Sequence, residues 1–178
     1  QGVLDAVSTA AKTFGQSVDD LLGAGTLFIH GTTRAINAII TGNTAKTALL
    51  TTRGNPDVLL FREGGRIEPF NFDVPFPDPY IPRALTFEIS ERVAPDGTVE
   101  TALDEADVRA AATALREAGV EAVAISYLWS ISNPDHEKRT LEILAEELPG
   151  VPCTMAHEIN PIIREYRRTS SAAIDASL

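Results

Sequence analysis

"EAVAISYLW", residues 121–129, is nearly all apolar. Such a run reads as a strand covered on both faces, as in the centre of a parallel sheet. The flanks agree. Upstream, Asp104 can cap a helix that carries Val108, Ala111, Ala112 and Leu115 on one side and stops at Gly119. Downstream, Asn133-Pro134 opens another helix, with Leu141, Leu144 and Leu148 facing inward. "VPCTMA" (151–156) reads as the next strand, and Asn160-Pro161 is expected to start the last helix. Helices alternating with buried strands predict an α/β fold with a largely parallel sheet.

The N-terminal part follows the same rhythm. Leu4, Val7, Ala11 and Phe14 recur at helical spacing. "TLFIH" (26–30) reads as a short buried strand. Thr32 or Thr33 then caps a helix bearing Ala35, Ile36, Ile39 and Ile40, which "TGN" (41–43) stops. "KTALLTT" (46–52) is the following strand, and Pro56 begins a short helix over 55–61. Leu85, Phe87 and Ile89 alternate with polar residues ahead of an Asp96-Gly97 turn, a pattern that predicts a β-hairpin. Residues 62–84 hold five prolines with aromatics between them, so they form neither helix nor central strand. A loop of this length reads as a lid or an interface arm, with an inert surface connection as the alternative.

Composition narrows the partners. A net charge of −10 repels nucleic-acid backbones and anionic membrane surfaces, so neither is expected as a partner. The one cysteine, Cys153, excludes an internal disulfide and fits a cytoplasmic setting, and no Cys/His spacing resembles a metal site. No stretch approaches the ~20 apolar residues of a membrane span. The chain opens in a helical pattern without methionine and stops at "SSAAIDASL", still helical. Residues 1–178 are therefore expected to be one region truncated at both ends.

His30-Gly31-Thr32-Thr33 places an imidazole, a glycine and two hydroxyls at a strand end that enters a helix. Ligands gather at the carboxyl ends of strands in open α/β sheets, and a helix N-terminus favours an anion. A capped helix with a strand-end histidine is the plainer alternative. "TTRGNPDV" (51–58) repeats the arrangement with Thr52 and Arg53. "FREGGR" (61–66) offers an anion-binding turn or a solvated loop. Arg164, Arg168 and Ser171 fall on one side of the last helix, as a clamp for an anion or as an ordinary charged face. His136 and His157 read as structural. No nucleophile elbow and no phosphate-binding Gly-x-x-x-x-Gly-Lys loop occurs.

"FIHGTTRAINAI" followed by "TAKTALLTTRGNPDVL" resembles the N-terminal region of hydantoinase A and 5-oxoprolinase proteins. "LREAGVEAVAISYLWSISNPDHEKR" and "EINPIIREYRRTSSAAIDASL" resemble that family's later segments, in the right order. The stretch after Asp57-Val58-Leu59 departs from the usual Ile-Gly-Arg/Asn-Gln-x-Arg-Pro and looks more like the acetophenone carboxylase subgroup. The resemblance implies the fold of actin-like ATPases and sugar kinases. It also implies an enzyme that uses ATP with Mg²⁺ to phosphorylate a carbonyl or amide oxygen, and a hydantoinase B-like partner subunit. Ketone carboxylation is the expected outcome, with cyclic amide hydrolysis as the alternative and a non-catalytic scaffold subunit as a third reading. The family's phosphate loop and adenosine-holding lobe are expected outside these residues, so the chain alone is expected to be inactive. The motif match and the local chemistry together mark His30, Thr32 and Thr33 as catalytic candidates. Gly31, Asn37, Thr52, Arg53, Arg164 and Arg168 are the candidates for binding substrate or phosphate.

Overall fold

A computed structural model describes residues 2–27, 33–64, 68 and 70–178, the side chain of residue 34 excepted. Two compact units divide the chain, Gln1–Asn37 and Ala38–Leu178.

The first unit contains α1 (Gly2–Thr13) and α2 (Val18–Ala24). Ser17 caps α2, which the sequence reading missed: its Oγ accepts from Asp20 N at 3.1 Å and donates to the Asp20 carboxylate at 2.6 Å. The apolar side predicted for α1 is only partly covered, because Ala11 is buried while Leu4 and Phe14 stay exposed. The strand expected over 26–30 lies largely outside the described residues. α3 (Arg34–Thr41) forms where it was predicted.

The second unit is built on a four-stranded parallel sheet, β1 (Thr47–Thr52), β2 (Thr86–Ile89), β5 (Ala122–Ser126) and β6 (Cys153–Met155), in the order β2-β1-β5-β6. β1 and β5 are buried throughout, as the apolar run of β5 required. On one face Ala48, Leu50, Val123 and Ile125 pack with α5 (Glu105–Glu117) and α6 (Asp135–Glu147). On the other, Leu49, Ala122 and Ala124 meet Ala172, Ala173 and Ala176 of α8 (Glu165–Ala176) and Leu59 of α4 (Val58–Phe61). Small residues on both sides let α8 lie close to the strands.

Two predicted elements change. The alternation at 85–89 belongs to β2, a parallel edge strand, and the hairpin is the later pair β3 (Arg92–Val93) and β4 (Val99–Thr101). A period of two reports that one face is buried and says nothing about the partner's direction. Gly97, at φ 87°, makes the hairpin turn where a side chain would be strained. The last helix does not start at Asn160-Pro161. A short α7 (Ala156–Ile159) ends there, Ile162 N turns back to Asn160 O at 2.7 Å, and α8 begins at Glu165.

Among its described residues, the loop over 62–84 holds no regular element before a 3-10 turn at Arg83–Leu85. Ile81 anchors its end in the core, and the Phe61 and Phe76 rings meet edge-on at 5.3 Å. Phe70 and Phe72 project into solvent, 93% and 78% exposed. Among the described residues no helix is long and apolar enough to cross a membrane.

Candidate functional site

β1 and β5 end side by side, Thr51 level with Ser126, and the chain leaving each strand turns over the carboxyl edge of the sheet. A cleft of about 400 Å³ opens there, lined among others by Asn55, Asp57, Phe61, Arg92, Trp129 and Glu165. This edge is where open parallel sheets bind ligands. Trp129 sits at φ 56°, an outlier for a bulky residue, and it is held there by Ser132 N and Asn133 N, which both donate to its carbonyl (2.8 and 3.2 Å). Strain of this kind gathers at functional sites.

Behind the cleft lies a buried polar network. The Thr52 hydroxyl donates to Glu91 Oε1 and accepts from Leu128 N at 2.9 Å. The other oxygen of Glu91 lies 2.8 Å from His136 Nδ1. Next along α6, Glu137 accepts from Tyr127 N at 3.0 Å and from His157 N at 3.2 Å, and its Oε2 lies 2.6 Å from His157 Nδ1. Glu91 and Glu137 are both buried. Buried carboxylates need such partners. His136 and His157, read as structural, are each tied to a buried glutamate here; those glutamates were missed. The signal for Glu91 was a lone carboxylate between the apolar positions Ile89 and Val93.

The predicted site residues fall in several environments. Residues 30–32, which include His30, Gly31 and Thr32, lie outside the described residues. Thr33 is exposed, with its backbone oxygen accepting from Asn37 N at 2.9 Å and its Oγ1 from Asn37 Nδ2 at 3.3 Å. Thr52 is interior, its proton committed to Glu91. Arg53 pairs with Asp107 at 2.8 Å. The Ser90 hydroxyl and amide hold the Asp107 carboxyl below its ordinary value, and Arg53 adds to that. Arg164 precedes α8 and is exposed. Arg168 is buried, its Nη1 donating to the carbonyls of Ile162 and Ile163 and its Nη2 to that of Tyr127. Ser171 bonds instead with Asn160 Nδ2 and Arg167 O. In the 61–66 turn, Glu63 pairs with Arg167 at 2.8 Å. Among the described residues no group of three or more His, Cys, Asp or Glu is placed to hold a metal ion.

Comparison with known proteins gives this geometry its context. The chain is 36% identical over 178 residues to caprolactamase subunit alpha of Pseudomonas jessenii, covering 99% of this chain and 26% of that one. It is also 36% identical over 190 residues to the acetophenone carboxylase gamma subunit of Aromatoleum aromaticum, with the same coverage of 99% and 26%. The crystal structure of the ATP-dependent caprolactamase from Pseudomonas jessenii superposes with a TM-score of 0.84 at 36% identity, over 99% of this chain and 26% of that chain. The nucleotide-free structure of acetone carboxylase gives the same TM-score of 0.84 at 23% identity, over 99% and 26%, and so shares the fold. The chain thus spans about a quarter of the length of these relatives. The family model for the hydantoinase/oxoprolinase N-terminal region matches residues 1–148, and the chain belongs to that family.

Proposed function

We propose that the chain is part of an ATP-dependent enzyme that activates a carbonyl or amide oxygen by phosphorylation. The observation that carries this reading is the likeness, along 99% of the chain, to the ATP-dependent caprolactamase. Ketone carboxylation is the finer assignment, supported by the acetophenone carboxylase relative and by the departure after Asp57-Val58-Leu59. Amide hydrolysis is the second reading, because the caprolactamase relative is equally identical at 36%.

The cleft residues do not fit a nucleotide by themselves. Asp57 and Glu165 outnumber Arg92 on its walls, which is poor company for a polyphosphate. ATP and Mg²⁺ are therefore assigned to the complete enzyme, together with a hydantoinase B-like partner subunit. His30, Gly31, Thr32, Thr33 and Asn37 remain the proposed contacts to the reacting oxygen or phosphate. Measuring ADP release by the complete enzyme with its partner tests the reading. Release that depends on caprolactam, or on acetophenone with bicarbonate, is expected and separates the two chemistries. Absence of any substrate-dependent release would favour a non-catalytic scaffold.

A further inference from the structure

Arg168 is 1% exposed, and its two Nη groups are taken by three backbone carbonyls. Its Nε–H is buried as well and meets no protein acceptor among the described residues. An unmet donor in the interior is costly, and native proteins rarely leave one. Burial pushes the pKa of this guanidinium down, with Glu165 and Glu137 opposing. The group nonetheless stays a cation, because arginine does not lose its proton in proteins.

The same side chain lines a small, partly open chamber of about 20 Å³, whose other walls include Thr51, Asn55, Val58, Ser126, Leu128 and Thr169. Ser126 Oγ and Thr169 Oγ1 lie 2.7 Å apart on that wall. A water needs roughly 10–15 Å³ of such space and two to four polar neighbours. This chamber therefore suits one water and nothing larger. Its walls set hydroxyls, an amide and a carboxylate beside the apolar Val58 and Leu128, so polar partners for a water are within the lining.

We propose that the chamber is a binding site for a single ordered water that accepts from Arg168 Nε. Asn55, Val58, Leu128 and Glu165 line both the chamber and the cleft. The water lies next to the cleft floor and completes the hydrogen bonding of the cation beneath it. It also fastens the turn before α8 to the end of β5, the two segments that Arg168 already joins.

A crystal structure of the complete enzyme at about 1.8 Å resolution should show a water roughly 2.7–3.2 Å from Arg168 Nε. A dry chamber, or Nε on a protein acceptor, overturns the proposal. Ser126→Thr gives a second reading, because its added methyl competes for the same space. Displacing a bound water leaves Nε unmet, so the melting temperature should fall by several degrees. A methyl placed in a dry void would stabilise, so an unchanged or raised melting temperature also overturns it.

Discussion

His136 Nδ1 lies 2.8 Å from Glu91 Oε2, joining the first turn of α6 to the loop after β2. Because Glu91 also accepts from Thr52, which in turn accepts from Leu128 N, one carboxylate holds the ends of β1 and β5 together. The next residue, Glu137, carries the tie onward to His157. The His-Glu pair at the start of α6 thus holds the sheet edge against which the cleft is built.

Removing Glu91 should therefore be expensive. Glu91→Ala leaves Thr52 without its acceptor and His136 without its partner, all in the interior. Loss of one member of a buried pair typically costs about 3–5 kcal/mol. Glu91→Gln keeps an oxygen for Thr52 and should cost clearly less. Urea unfolding of both variants measures this, and equal midpoints would show that the contact carries little.

Alkaline stability follows from two acids, the buried Tyr127 and the half-buried Cys153. Burial raises the Cys153 thiol from 9.0 to about 11. Burial, partly offset by the Thr140 hydrogen bond, raises the Tyr127 phenol well above its ordinary value. Between pH 9 and 11 the folded Cys153 keeps a proton that the unfolded chain has lost, so stability falls as pH rises through this window. Cys153 accounts for at most about 2–3 kcal/mol of that fall, and Tyr127 extends it to higher pH. Unfolding midpoints at pH 8 and pH 11 check the sign. Alkylation of Cys153 at pH 8 should also be slow, since the thiolate is scarce.

The sheet was legible because β5 is buried on both faces, which leaves a nearly continuous apolar run, and because Ala48, Leu49 and Leu50 mark β1 among its threonines. The helices α5 and α6 were legible from caps and spacing, with Asp104 accepting from Ala106 N and Asp107 N as predicted. The direction of β2 was not, since alternation carries no sign. The start of α8 was hidden by Asn-Pro chemistry that here closes a loop. The Glu91 and Glu137 contacts join residues 45 and 20 apart in sequence, which no local pattern encodes. The inward turn of Arg168 was equally hidden, because i, i+4 spacing groups it with the exposed Arg164.

Phe70 and Phe72 are large apolar side chains that stay 93% and 78% exposed, and exposed apolar surface of this kind marks interaction sites. They are expected to pack on a partner subunit or on another part of the complete enzyme. Changing both to serine should weaken assembly with the partner at least tenfold while leaving the melting temperature of the chain within a few degrees. Sedimentation of the mixed subunits measures it. Assembly as tight as the wild type would assign these rings no interface.

Thr33 accepts from Asn37 Nδ2, which leaves its own proton available to a ligand oxygen. Thr33→Val removes that donor and keeps the shape. Losing one donor to a developing charge typically costs ~10²-fold or more in rate. Turnover of the complete enzyme should fall by that order while its melting temperature holds. Wild-type turnover in the folded variant would remove Thr33 from the proposed site.

The chain by itself should bind Mg-ATP weakly. Its net charge is −10, and the cleft walls carry Asp57 and Glu165 against Arg92. Good nucleotide sites enclose most of the ligand and neutralise its phosphates. Arg53, which follows β1, and Arg168, which reaches the Tyr127 carbonyl after β5, are engaged with Asp107 and with backbone carbonyls. Breaking either arrangement to reach a phosphate would leave a carboxylate or buried carbonyls unpaired. Calorimetry of the 178-residue chain should therefore find no site tighter than about millimolar, or ~4 kcal/mol. A micromolar constant would mean that these residues build a nucleotide site on their own, and that the charges on the cleft walls have been given too much weight.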